Sequence, residues 1–239
     1  MKLYAYCFTE DGDAPSEFLT GIGGSQVRVL KAEGFSILVS DFPTETVPIN
    51  RHNVLAHSAV IQRVLAHTTP LPLRFGTLIA EEQLRNYACA KREALHEKFD
   101  SLRGCIEMNV KLISQAAQAV VRQHLPQPAD KPGTAFLVQK RREIVGSETR
   151  IAEAKRLAAW LEQHIGDLIK EASIEQSRTD KLILAASHLL ERGVVEQYRA
   201  RLKTARAERP ELHFLVSGPW APYSFANIEL EFKSQFGVS

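Results

Sequence analysis

Val27-Arg28-Val29-Leu30-Lys31-Ala32-Glu33-Gly34-Phe35-Ser36-Ile37-Leu38-Val39-Ser40 is the stretch on which the fold turns. Val27–Leu30 and Phe35–Ser40 are rich in β-branched and aromatic residues. The polar Lys31–Gly34 insert carries a glycine where a tight turn needs one, so the whole reads as a β-hairpin. Upstream, the aromatic run Leu3–Phe8 reads as a further strand. Downstream, Asn50 is placed to cap a helix in which Val54, Ile61, Val64 and Leu65 recur at helical spacing up to His67. Glu81–Leu102 holds no glycine or proline and predicts a second, single helix, which Gly104 ends. Ile106, Met108, Val110 and Leu112 then alternate with Glu107, Asn109 and Lys111, the pattern of a strand with one buried face. Strands, helix, short strand, helix and closing strand predict an α+β sandwich of the ferredoxin-like kind over residues 1–112.

Residues 113–239 predict a second α+β domain. Ser114–His124 reads as a short helix, and Pro126, Pro128, Pro132 and Gly133 form a breaker cluster. A long, coiled-coil-like helix is expected over about 133–169. One heptad column there is Leu137, Ile144, Ile151, Ala158 and Ile165; the other is Lys140, Ser147, Ala154, Leu161 and Leu168, polar near its start. Strands follow at Glu171–Gln176 and Leu182–Leu190, then a helix from about Gly193 to Ala207 and a strand at Leu212–Ser217. The tail alternates Ile228, Leu230 and Phe232 with Glu229, Glu231 and Lys233, a candidate for edge pairing.

Composition narrows the function. The chain has 239 residues, 44% hydrophobic and 24% charged, enough apolar material for a substantial core. Thirty basic against 28 acidic residues leave a net charge of +2, too little to announce a nucleic-acid or membrane surface. Cys7, Cys89 and Cys105 stand singly with no metal spacing, as reduced thiols would in a cytoplasm. No apolar run approaches a membrane span, and Met1-Lys2 leads into strand-like sequence rather than a secretory segment. The expectation is a soluble, cytoplasmic protein.

No catalytic constellation appears. His52, His57 and His67 are spaced wrongly for one metal-binding helix face and read as surface or half-buried, satisfied imidazoles. Gly21-Ile22-Gly23-Gly24-Ser25 lacks the lysine of a phosphate loop and reads as a surface connection. No catalytic, cofactor or metal residue is expected. Two segments instead combine rigid backbone with large apolar side chains: Leu71-Pro72-Leu73-Arg74-Phe75-Gly76-Thr77 and Ser217-Gly218-Pro219-Trp220-Ala221-Pro222-Tyr223-Ser224-Phe225. Arg74 among apolar neighbours either ties down carbonyls or a carboxylate in the core, or anchors a partner. Trp220 and Tyr223 invite the same two readings, as core rim or docking ridge. Arg74, Phe75, Trp220, Tyr223 and Phe225 are the candidate partner-binding residues. Arg192, Arg199, Lys203 and Arg206 line one flank of the late helix, opposite a stripe of Val195, Tyr198, Leu202 and Ala205. That flank carries the alternative reading, a nucleic-acid-binding regulator, although no aromatic is interleaved there to stack bases.

In order along the chain, the Leu3–Phe8 strand, the helix with His57 and Val60-Ile61, Leu71–Thr77, Gly104-Cys105-Ile106-Glu107 and Ser217–Phe225 resemble the gas vesicle protein family GvpL/GvpF. The resemblance spans about residues 2–226. It implies a two-domain α+β accessory protein of gas vesicle formation that is not an enzyme. The partners it implies are the gas vesicle shell protein and other accessory proteins, with no nucleic acid and no membrane, and a cytoplasmic location associated with gas vesicles.

Overall fold

The structure, a computed structural model, describes residues 2–15, 18–114, 151–175 and 182–228. Its helices and sheets fall into two compact units, Met1–Glu107 with the segment from Trp220 onward, and Met108–Pro219. The expected boundary lay at Leu112, with everything beyond it in one domain. The segment from Trp220 instead belongs with the first unit.

In the first unit, β1 (Lys2–Glu10) is the centre of the sheet and is buried along almost its whole length. Burial of successive residues, whose side chains point to opposite faces, means that both its faces are covered. β4 (Phe35–Phe42) pairs antiparallel with one edge of β1, with a register shift between Ala5 and Cys7. The expected hairpin is present, β3 (Gln26–Ala32) joining β4 through Glu33 and Gly34, with Ala32 opposite Phe35. Glu33 and Gly34 have φ of 54° and 86°, both positive, as a two-residue type I′ turn requires. β2 (Leu19–Thr20) extends the sheet beyond β3. On the other edge of β1, β5 (Leu71–Pro72) and β6 (Leu78–Ile79) pair in succession.

α1 (Arg51–Leu65) begins as expected, Asn50 Oδ1 accepting the Asn53 N–H at 2.9 Å. The single helix expected over 81–102 is two, α2 (Glu81–Ala90) and α3 (Arg92–Leu102). Lys91 leaves the helical region at φ −109°, ψ 17°. The buried row runs Leu84, Ala88, then Leu95, Phe99 and Leu102; the turn between them, where the row needs one more apolar residue, holds Lys91 and Arg92. Helical spacing continues through the break, which is why periodicity alone conceals it.

β7 (Cys105–Ser114) also departs from expectation. The sequence pattern predicts it as the closing strand of the first domain, but it pairs in the second sheet, whose order is β10-β7-β9-β8. Both edges of β1 are already occupied, so no place beside it remains.

In the second unit, residues 151–165 are helical (α4). The 133–150 portion of the expected long helix, the Ser114–His124 helix beyond its first residue, and the tail beyond Ile228 lie outside the described residues. Helix does not continue to 169: a 3-10 turn at Gly166–Leu168 leads into β8 (Ile169–Glu175). Leu157, Leu161 and Ile165 are the buried row of α4, whereas Ile151 of the expected heptad column is 40% exposed. β8 pairs antiparallel with β9 (Leu182–Glu191). α5 (Val195–Glu208) buries Val195, Tyr198, Leu202 and Ala205, the stripe read from the sequence. β10 (Leu212–Trp220) follows. Trp160 of α4 meets Phe214 of β10 edge-on at 6.3 Å, and Arg209 lies over the same indole. No described helix is long and apolar enough to cross a membrane.

Candidate functional site

The two proline-bearing segments converge in the first unit. Leu71 and Pro72 are fixed as β5 against Phe8 and Cys7, and the Leu73 N–H donates to the Tyr6 carbonyl at 2.8 Å. The chain then loops out and returns at Thr77. Its N–H and Oγ1 both donate to the Arg74 carbonyl, at 3.2 and 2.7 Å, and its own carbonyl accepts the Ala5 N–H at 3.0 Å. The projecting tip is therefore Arg74-Phe75-Gly76, held at both ends by β1. Arg74 is exposed and makes no ion pair among the described residues. Its carbonyl does the anchoring expected of its guanidinium, which is left on the surface. Phe75 is half-buried.

The second segment ends in a single helical turn, α6 (Tyr223–Ala226), preceded by Pro222. A carboxylate caps it: Ser224 donates from its N–H to Glu107 at 2.8 Å and from its Oγ at 2.9 Å. Negative charge is favoured at the start of a helical turn, where backbone N–H groups lack partners. The alternation of β7 put Glu107 on the solvent side, but it is 3% exposed, because this returning turn covers that face. Lys98 Nζ secures the other end through the Phe225 carbonyl at 3.2 Å. Phe225 itself is buried and braces the turn from within, a core position in place of the partner-facing one expected. Trp220 is half-buried and Tyr223 is 40% exposed.

His57 of α1 joins the segments. Its Nδ1 lies 2.8 Å from the Tyr4 hydroxyl and its Nε2 3.3 Å from the Tyr223 hydroxyl. The Tyr4 hydroxyl accepts the Gly76 N–H at 3.1 Å, and so gives its own proton to Nδ1. That hydrogen-bond arrangement assigns the imidazole proton to Nε2. The ring stacks on Tyr6 at 5.8 Å and meets Phe75 edge-on at 5.8 Å. Burial pushes His57 down to about 4, against a smaller opposing effect of the Leu73 carbonyl, so the ring is neutral near pH 7. Burial also pushes the Tyr4 and Tyr223 hydroxyls up, which keeps both protonated. This neutral, mutually satisfied cluster has no spare base and no activated nucleophile; it holds two loops in one shape. Arg74, Phe75 and Tyr223 form its outward side.

Tyr6 adds a further tie. Its hydroxyl accepts the Ile22 N–H at 2.9 Å and lies 3.0 Å from Ser40 Oγ, which fastens the glycine loop to the sheet. That loop is thus a packed connection. A Cβ at Gly21 would lie 1.9 Å from the Tyr6 hydroxyl. Tyr4 and Glu107 could not be singled out in the sequence, since an aromatic strand and an alternating one look alike whether their polar atoms are bonded or free. In the second unit, Arg192 falls in the 3-10 turn before α5, while Arg199, Lys203 and Arg206 share one flank of that helix.

The chain is similar to known proteins along nearly its whole length. The family described as "Gas vesicle synthesis protein GvpL/GvpF" matches residues 2–227. Gas vesicle protein F1 of Halobacterium salinarum is similar, 24% identical over 99% of this chain and 98% of its own. Gas vesicle protein F of a Streptomyces species is 29% identical over 94% of this chain and 99% of its own. The crystal structure of GvpF from Microcystis aeruginosa superposes with a TM-score of 0.75 at 20% identity, covering 95% of this chain and 99% of that one, which shows a shared fold. With the family pattern running through nearly every described element, from β1 to the turn at Tyr223, this chain belongs to the GvpL/GvpF family of gas vesicle synthesis proteins.

Proposed function

We propose that this protein is a non-enzymatic accessory factor of gas vesicle formation, working in the cytoplasm in association with vesicles. In this reading it binds the shell protein or fellow accessory proteins through the outer side of the His57 cluster. The observation that carries the proposal is the convergence of Leu71–Thr77 and Trp220–Phe225 on one buried imidazole, which leaves Arg74, Phe75 and Tyr223 outward on a rigid base. A preformed apolar-aromatic ridge with one arginine loses little freedom on binding, and such residues dominate interface energetics. A shell subunit with a gas-facing apolar surface needs shielding before it assembles, and this ridge supplies a surface of matching chemistry. The ferredoxin-like character of the first unit and the use of the long helix as a coiled-coil partner belong to the same proposal.

The test is replacement of Arg74 by Glu in a strain lacking the natural gene. Because Arg74 is exposed, the variant should melt as the parent does, yet co-purify less with the gas vesicle proteins and restore fewer vesicles. Unchanged co-purification together with normal vesicle yield would sink the proposal.

A further inference from the structure

The second unit carries a surface that the His57 cluster does not involve. A groove of about 380 Å³ lies between α5 and β10. Met108, Leu202, Phe214 and Val216 make its apolar floor, and Arg199, Lys203 and Arg206 make a basic rim. Arg199 is tied to Glu196 at 2.8 Å and to the Gly218 carbonyl at 3.1 Å, so the rim is fixed at that end. Lys203 and Arg206 are exposed and make no ion pair among the described residues. Among the described residues, β10 is the last strand of its sheet, with β7 on one side and no strand on the other. Edge strands are commonly guarded by charge or proline; in β10 the proline, Pro219, comes only near the far end, and Leu212-His213-Phe214-Leu215-Val216-Ser217 has neither lysine nor proline. Leu215 and Val216 are 45% and 42% exposed.

We propose that the β10 edge and this groove together bind an extended polypeptide segment carrying apolar side chains and carboxylates, taken up as an added strand. Main-chain pairing to an open edge supplies affinity, and the flanking groove selects side chains. The apolar floor calls for the first type and the uncompensated cations for the second. Nucleic acid fits less well. Single strands need exposed aromatic faces for base stacking, and the aromatic of this groove, Phe214, is 6% exposed beneath the rim.

The probe is a short fluorescent peptide of alternating leucine and glutamate, titrated into the full chain. It should bind with an affinity that falls as salt rises, and amide exchange should slow within Leu212–Ser217. Combined Lys203→Glu and Arg206→Glu, both at exposed positions, should weaken binding by about tenfold or more while leaving the melting temperature in place. Val216→Lys at the strand edge should do the same, whereas Arg74→Glu should bind the peptide normally, which separates this surface from the His57 ridge. Absence of binding, an affinity indifferent to the charge reversals, or protection confined to other strands overturns the proposal. So does tighter binding of a single-stranded RNA of similar charge.

Discussion

His57 and His188 show how burial at a single residue sets a pH dependence. His188 lies 2.7 Å from the Tyr198 hydroxyl, and burial pushes it, like His57, down to about 4 from an ordinary 6.5. The unfolded chain therefore takes up protons between pH 6.5 and about 4 that the folded chain refuses. Stability is fully present above that window and declines as pH falls through it, by roughly 1.4 kcal/mol per histidine for each unit of displacement. Denaturant midpoints at pH 7 and pH 5 should reveal the decline, and His57→Gln should flatten it; an unchanged slope in that variant would show that His57 does not contribute. A second residue-scale outcome concerns Gly21, whose added methyl would strike the Tyr6 hydroxyl, whereas Gly23 has open space around it and only its φ of 67° to lose. Gly21→Ala should cost about 2–4 kcal/mol and Gly23→Ala about 1 kcal/mol, compared by thermal melting. Neither the buried imidazole nor the crowded glycine was legible beforehand. Sequence gives a residue's type and spacing, while its neighbours in these cases come from 16 to more than 50 positions away.

At the scale of elements, local signals were read well and pairings less so. The hairpin with its glycine in the turn, the Asn50 cap and the buried stripe of α5 all rest on contacts within a few residues and are visible in the sequence, although the turn is Glu33-Gly34 alone where Lys31–Gly34 is expected. The turn yields a prediction: Glu33 holds a positive φ that a type I′ turn fills best with asparagine. Glu33→Asn should stabilise the first unit by about 0.5–1 kcal/mol, seen as a higher melting temperature. The break at Lys91 was hidden because the buried row keeps helical spacing across it. The destination of β7 was hidden for another reason. Its alternation specifies a half-buried strand but not which sheet receives it, and the cover over Glu107 comes from a segment more than a hundred residues later.

At the scale of the whole molecule, the first unit is built from two separated pieces of chain. Of the candidate site, the two segments were legible as rigid apolar stretches, but their meeting at His57 was not, since nothing local links Phe75 to Tyr223. Glu107 and Ser224 are hydrogen-bonded, so the ends left by removing 108–219 lie close enough for a short flexible linker. A chain in which that linker joins Glu107 to Trp220 should fold as the first unit, with slow amide exchange in β1. Truncation after Pro219, by contrast, should uncover Glu107 and the face that Phe225 packs on, and so lower the melting temperature. Failure of the joined chain to protect β1 would show that the two pieces do not suffice. The same interrupted layout has a bearing on synthesis. A ribosome makes the whole of the second unit before it releases Tyr223 and Phe225, so the portion begun first is the last to be finished. Until then, the face that α6 will cover stays open to whatever binds the nascent chain.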